Sequence, residues 1–123
     1  MKSIRRVFFE AALTKPPEGK EPNMEKFWLE VWTVGPLTKE GPPMMTQAVE
    51  QKMNDLCHEV NQKVLPEDVP FFKNGVGASA ENLCMFFVKP IVNRFPGCVG
   101  QIRVNQGTQI AAAWLAGDPV YVE

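Results

Sequence analysis

The spacing of apolar residues changes along the chain, and it predicts strands near both ends with helices between them. Residues 4–12 and 26–35 are rich in β-branched and aromatic residues and partly alternate between apolar and polar. The two faces of the second predicted strand are formed by Phe27, Leu29, Val31 and Thr33, and by Trp28, Glu30, Trp32 and Val34. Because Trp28 and Trp32 share a face, we expect that face to be covered as well.

A helical period replaces this alternation from Met44 to Val64, where apolar residues recur at spacings of three and four with charged residues between them. The pattern predicts an amphipathic helix over 44–64, followed by a connecting loop over 65–77. Ser79 then stands as an N-cap for a second helix over 80–92. Since a proline ring clashes with the carbonyl four residues before it, we expect Pro90 to kink or end that helix.

Residues 98–105 and 108–116 complete the pattern as two strands around a tight turn, where Gly107 is able to take a positive φ. The predicted order is β-β-α-α-β-β. We therefore expect an α+β fold, in which an antiparallel four-stranded sheet carries two helices on one face. The proline clusters separate elements of this fold, so residues 1–123 are expected to form a single domain.

Composition and charge exclude several classes of protein. The 123 residues are 45% hydrophobic and 22% charged, which are the proportions of an ordinary globular protein. Thirteen Lys and Arg residues against fourteen Asp and Glu residues give a net charge of -1, so neither nucleic acid nor an anionic membrane is an expected partner. The apolar run after Arg5 and Arg6 is interrupted by Glu10 and is too short for a signal sequence or a membrane span.

Cysteine usage indicates a reducing, cytoplasmic location. Cys57, Cys84 and Cys98 are odd in number, widely spaced and without a CxxC pair, which argues against a disulfide framework or a thiolate zinc site. Cys57 and Cys84 lie among apolar neighbours and are predicted to be core residues. Cys98 follows a Pro-Gly pair and is predicted to be more exposed.

Several segments together resemble the 6-pyruvoyltetrahydropterin synthase and 6-carboxytetrahydropterin synthase family. The most specific is ASAENL, because Glu81, Asn82 and Leu83 fall at the start of the second predicted helix, where that family has ENL. The others are FEAAL at 9–13, KFWLEVWTVGP at 26–36, LPEDVPFF at 65–72 and IRVNQGTQ at 102–109. The resemblance implies a tunnelling fold, in which subunits join their sheets into a homo-oligomeric ring with active sites between neighbours.

The resemblance also implies a catalytic zinc ion held by three histidines, and this sequence lacks them. Leu13, Asn23 and Glu25 stand at the three histidine positions. Gly19 stands where the family has its reactive cysteine, and Asn61-Gln62 where it has an Asp-His pair. The single histidine, His58, reaches a family position only in a shifted alignment; otherwise it is a partly exposed helical residue. We therefore expect no metal, no cofactor and no zinc-dependent reaction.

Gln106 occupies the position at which the resemblance implies an acidic residue that holds the pterin ring. A carboxylate only accepts hydrogen bonds, whereas a carboxamide offers one acceptor and two donors, which favours a lactam edge with N-H beside C=O. Urate oxidases, which share the wider fold group, hold a dioxopurine with a glutamine. Two alternatives stay open: Gln106 is an ordinary polar turn residue, or Gln109 takes its place. Backbone groups near Ser79 are expected to bind the same ligand, with Glu81 supporting that turn.

Three hypotheses follow for the function. The first is a divergent family member that has lost the zinc reaction and binds a pterin- or purine-like heterocycle at a subunit interface. The second is a cofactor-free enzyme with relocated chemistry, for which Lys15, Lys20, Glu25 and His58 are the candidate residues. The third is a structural ring protein in which only the assembly surface persists.

Overall fold

The computed structural model describes residues 2–34, 41–73 and 78–120, without the side chains of residues 2 and 41–46. The strands are β1 (Lys2–Ala12), β2 (Glu25–Val34), β3 (Lys63–Val64), β4 (Val99–Gln106) and β5 (Gln109–Leu115). The helices are α1 (Gly41–Val60), α2 (Leu65–Asp68) and α3 (Ala80–Arg94), with a 3-10 turn at Pro70–Phe72. The α+β class is therefore confirmed.

The described strands form one sheet in the order β3-β1-β2-β4-β5, and this corrects the prediction of four antiparallel strands. Four of them are antiparallel as expected, but the two-residue β3 runs parallel to β1 and adds a fifth. The chain leaves α1 through Gln62, which takes a positive φ of 61° and donates its backbone N-H to the Glu10 carbonyl at 2.6 Å. The helical spacing continues to Val64 in the sequence, yet Val64 is buried in a strand.

The helices differ from the predicted ones at their ends and in number. α1 begins at Gly41 and ends at Val60, and part of the predicted loop over 65–77 forms α2 and the 3-10 turn, while residues 74–77 lie outside the described ones. α3 continues past Pro90 to Arg94, so Pro90 does not end it. Ile91 and Phe95 beyond the proline are buried, and the Phe95 N-H bonds to the Ile91 carbonyl, so packing and hydrogen bonding maintain the last turn.

One face of the sheet packs against α1 and α3 and forms the core. The predicted division of β2 into two faces is confirmed, and the face formed by Phe27, Leu29, Val31 and Thr33 is the one buried in the core. Phe9 lies at the centre, with its ring 5.4 Å from that of Phe27 and 5.5 Å from that of Phe87 on α3. The described helices include none long and apolar enough to cross a membrane.

The opposite face of the sheet, which we call the open face, is not covered by the helices. It carries large apolar side chains that are exposed by about two-fifths to one-half, namely Ile4, Phe8, Trp28, Ile110 and Leu115. Trp32 on the same face is less exposed than these residues and is half-buried. The cover expected over Trp28 and Trp32 is therefore not supplied by the described part of a single chain.

Candidate functional site

The turn between β4 and β5 brings Gln106 to the beginning of β2. Gly107 takes the predicted positive φ, 64°, but it forms the two-residue turn with Thr108, one position later than predicted, because Gln106 is still part of β4. The Gln106 side chain is exposed, and its Nε2 donates a hydrogen bond to Oε1 of Glu25 at 2.9 Å. Glu25 is half-buried at the first position of β2. Two residues that the sequence singles out for separate reasons thus lie in direct contact.

The contact decides which hydrogen-bonding groups remain for a ligand. Gln106 uses one of its two amide hydrogens on Glu25 and keeps the other hydrogen and its carbonyl oxygen. Glu25 keeps the second carboxylate oxygen. The pair therefore offers a donor beside acceptors, which complements a ring edge that carries a carbonyl beside N-H groups.

Ser79 and Glu81 lie at the start of α3. The predicted N-cap is confirmed, because the Ser79 Oγ accepts from the Asn82 backbone N-H at 3.1 Å. Glu81 is exposed in the first helical turn, where a negative charge is favourable next to the helix dipole. None of the described hydrogen bonds joins either residue to Gln106, so their part in ligand binding remains a prediction.

The positions that correspond to the family's zinc ligands do not fit a zinc ion. Leu13 is half-buried and carries no donor atom, Asn23 is exposed, and Glu25 already accepts from Gln106. Gly19 lies in an exposed turn with a φ of 79°. Within the described residues no group of three or more His, Cys, Asp and Glu side chains is placed to hold a metal ion.

The amides at the position of the family's Asp-His pair have a local structural role. Asn61 Oδ1 accepts from the Glu10 backbone N-H at 3.0 Å, and Gln62 Nε2 donates to the Glu10 carboxylate at 3.3 Å. Both side chains therefore attach the end of α1 to the edge of β1. His58 is exposed in the last turn of α1, in agreement with its interpretation as a helical residue that is at least partly exposed.

The cysteines lie where the sequence places them. Cys57 and Cys84 are buried, and burial raises the pKa of each thiol to about 12. Cys98 is half-buried. Thiols with so high a pKa are almost entirely protonated at neutral pH, so neither Cys57 nor Cys84 is a nucleophile in the folded chain.

A second polar cluster lies on the open face and is centred on Glu30. Its side chain is only 3% exposed, although it points away from the helices. It accepts from Trp32 Nε1 at 2.5 Å and from Arg6 Nε at 2.6 Å, and Arg103 Nη1 lies 3.7 Å away. Alternation along β2 places Glu30 between two tryptophans, but it does not reveal the cluster, because both arginines come from other strands.

The environment of Glu30 keeps it ionised. Burial by itself would raise the pKa of this carboxyl group, but the hydrogen bonds from Trp32 and Arg6 and the charges of Arg6 and Arg103 outweigh burial. The pKa of Glu30 therefore lies below its ordinary value. A buried carboxylate that is fully partnered in this way holds the two arginines in place.

The cluster lies along one side of a depression of 610 Å³ on the open face. Arg103 stacks over the Trp32 ring at 4.7 Å from its centroid. When the Gln101 amide is oriented with its oxygen towards Arg103, this oxygen accepts from Arg103 Nε at 2.6 Å and from Arg103 Nη2 at 3.1 Å. The lining includes Arg6, Trp28, Glu30, Arg103, Asn105 and Ile110.

Comparisons with known proteins agree with the resemblance at the level of the fold. No family model matches the sequence, and no curated protein matches it. Among solved structures, the Caenorhabditis elegans 6-pyruvoyl tetrahydropterin synthase superposes with a TM-score of 0.76, over 94% of this chain and 95% of that one. The chain has the fold of a 6-pyruvoyl tetrahydropterin synthase. At 15% identity the likeness to this synthase extends to the fold alone.

Proposed function

We propose that this chain is a 6-pyruvoyl tetrahydropterin synthase-like protein that has lost the zinc-dependent reaction and binds a pterin- or purine-like heterocycle. The hydrogen bond between Gln106 and Glu25 carries the proposal. It places a carboxamide and a carboxylate side by side, where β4 ends and β2 begins. Together they present the donor and acceptors that complement the edge of a fused pyrimidinone ring.

The loss of the zinc reaction is supported by the residues at the family's ligand positions. A catalytic zinc site needs three nitrogen, sulfur or carboxylate ligands around an open position. Leu13 has no ligand atom, and Glu25 is the one charged candidate among Leu13, Asn23 and Glu25. Asn61 and Gln62 also lack the basicity of an Asp-His pair, and both bind Glu10.

We further propose that the site lies at a subunit interface in a homo-oligomeric ring of single-domain chains. β5 is the outermost strand on one side of the described sheet, and an unpaired strand edge is a template for pairing with another chain. Gln106 lies beside this edge and is exposed in the single chain. In a ring, a neighbouring subunit would therefore enclose the heterocycle that Gln106 binds. The free thiols fit a cytoplasmic location.

Calorimetric titration with neopterin, xanthine and urate tests the proposal. The wild-type chain is compared with Gln106→Leu, which removes every polar group of the amide, and with Gln109→Leu, the matched change on the same turn. Loss of the hydrogen bonds from Gln106 costs on the order of 1–3 kcal/mol, or about 5-fold to 140-fold in affinity. Gln109→Leu should leave affinity unchanged.

The titration, a turnover assay and light scattering together separate the alternatives. Weaker binding by Gln109→Leu rather than Gln106→Leu would move the anchor to Gln109. Turnover of a bound heterocycle without added metal would identify a cofactor-free enzyme. If none of the three compounds binds at millimolar concentration while light scattering shows an oligomer, the structural ring protein is the correct hypothesis.

A further inference from the structure

We propose that the depression on the open face is a second ligand site, which binds a small planar heteroaromatic anion that carries a ring N-H. It reaches Gly107 and Thr108, the turn next to Gln106, but neither Gln106 nor Glu25 lines it. Glu25 shares the register of the inward-facing residues of β2, whereas Glu30 and Trp28 belong to the opposite face. Three features of the depression specify the ligand: an unused guanidinium group, an exposed aromatic ring and a buried acceptor without a donor.

The charge balance favours an anion. Arg6 and Arg103 face a single carboxylate, Glu30, so the cluster carries one positive charge in excess. Arg103 is occupied by Glu30, by Gln101 and by the Trp32 ring. Arg6 uses its Nε on Glu30. No described contact occupies its two Nη groups, and 61% of the side chain is exposed, so a ligand can reach them. A guanidinium group held by its Nε presents those Nη groups as a fork that matches a carboxylate or a phosphate.

Trp28 supplies a surface for an aromatic ring. Its side chain lines the depression and the residue is 41% exposed. Phe8 packs against it, with ring centroids 5.2 Å apart and planes at 57°, so the indole is braced within the sheet. Planar ligands gain affinity by stacking on such a ring, and Ile110 adds an apolar wall.

Asn105 provides the most specific feature. Its Nδ2 faces Glu30 Oε2 at 3.4 Å, and because a carboxylate only accepts, the amide oxygen must point the other way. That oxygen, Oδ1, is buried and has no hydrogen-bond partner in the described structure. A buried acceptor without a donor is destabilising, so such a group in a folded protein requires an explanation. A ring N-H of a ligand in the depression would satisfy it once the Asn105 side chain turns this oxygen towards the lining, a movement that its burial in the unliganded chain requires.

Three small probes separate these contributions. Orotate is a planar ring with both a carboxylate and N-H groups, uracil has the same ring without the carboxylate, and benzoate has the carboxylate without a ring N-H. Calorimetry and tryptophan fluorescence should show binding of orotate. Uracil and benzoate should each bind at least about tenfold more weakly than orotate. Uracil loses the charge-assisted hydrogen bonds of the carboxylate, and benzoate loses the hydrogen bond of the ring N-H. Orotate affinity should also fall as salt is raised.

Matched variants locate the site. Arg6→Gln should weaken orotate at least about tenfold, whereas Arg5→Gln, the same change one position earlier, should have no effect, because Arg5 pairs with Glu50 on α1. Trp28→Leu leaves the contacts of Glu30 untouched. It should weaken the binding of orotate and abolish most of the tryptophan fluorescence change that orotate causes. It therefore tests the site even if Arg6→Gln is unstable.

Three results would overturn the proposal. The first is the absence of orotate binding to the wild-type chain at millimolar concentration, including the case in which a second copy covers the open face in solution. The second is equal binding by Arg6→Gln and Arg5→Gln. Gln106→Leu should bind orotate as the wild type does, so failure of the heterocycle site beside Gln106 and failure of this site give different results. Loss of orotate binding in Gln106→Leu would assign the probe to that other site and also overturn the proposal.

Discussion

Arg6 and Glu30 lie opposite each other in the β1–β2 register, and Arg6 Nε is 2.6 Å from Oε2 of the buried carboxylate. Glu30 also faces Arg103 in the β2–β4 register, so one side chain links three neighbouring strands. This link is independent of the apolar core on the other side of the sheet. Mutation of Glu30 can therefore measure how much this polar link stabilises the sheet, separately from the core.

Glu30→Gln is expected to destabilise the chain by on the order of 1–3 kcal/mol. A carboxamide has a single acceptor oxygen, so it cannot satisfy Trp32, Arg6 and Arg103 together, and its NH2 group would face cations. Urea denaturation followed by circular dichroism measures the change. Glu18→Gln, in an exposed loop, is the control and should stay within about 0.5 kcal/mol of the wild type. Equal effects of the two substitutions would contradict the role given to Glu30.

The stabilisation by Glu30 should depend on pH in one direction. Because the pKa of Glu30 is lower in the folded chain than in the unfolded chain, the unfolded chain takes up a proton first as the pH falls. The contribution is fully present above the ordinary pKa of a glutamate, about 4.3, and is lost as the pH falls through the lower folded value. The difference in unfolding free energy between wild type and Glu30→Gln should therefore shrink from about pH 6 towards about pH 3. A constant difference would show that ionisation of Glu30 does not contribute.

Alternation along β2 was sufficient to predict which of its residues share a face, because successive side chains of a strand point to opposite faces. It did not predict which face is covered: Phe27 is buried, whereas Trp28 is exposed although we expected cover over both faces. The end of α1 was not predictable in this way. The apolar spacing of three and four continues to Val64, and only the positive φ of Gln62 turns the chain into β3.

The two candidate sites were predictable to different degrees, because a sequence pattern describes one segment at a time and does not show which strands meet. Gln106 could be singled out because it stands beside a turn glycine at a position where the family resemblance implies a ligand-binding residue. Its contact with Glu25 depends on which strand ends meet, and no periodicity within one segment contains that information. The Glu30 cluster needs the registers of three strands at once, so a single-sequence pattern reveals Glu30 as an outward-facing residue and nothing more.

Ser79→Ala is expected to cost about 1 kcal/mol of stability, because the Asn82 backbone N-H loses the acceptor that caps α3. Ser79→Asp should restore most of the loss, since its carboxylate accepts the same bond and is favourable at a helix N-terminus. Thermal unfolding of the three proteins measures the effect. If Ser79→Asp is as unstable as Ser79→Ala, the cap is not the reason for the loss.

Thiol labelling of the native chain should modify Cys98 and spare Cys57 and Cys84. Burial shields the latter two and raises their pKa to about 12, which leaves almost no reactive thiolate at neutral pH. Titration with a chromogenic disulfide should therefore release one equivalent per native chain and three in denaturant. Cys98→Ser should abolish the native reaction. Rapid labelling of Cys57 or Cys84 in this variant would show that the core opens far more readily than its packing indicates.

Gly107→Ala should destabilise the turn that positions Gln106 by roughly 1 kcal/mol through backbone conformation alone. The φ of 64° is unfavourable for an alanine, whereas an added Cβ would meet no other atom within 4 Å, so no steric clash contributes. Gly107→Asn should be less destabilising, because asparagine tolerates positive φ better than alanine. Urea denaturation gives the stabilities, and a calorimetric titration with neopterin shows whether the proposed site beside Gln106 keeps its affinity. Alanine and asparagine variants of equal stability would mean that the turn changes its conformation rather than bearing the strain.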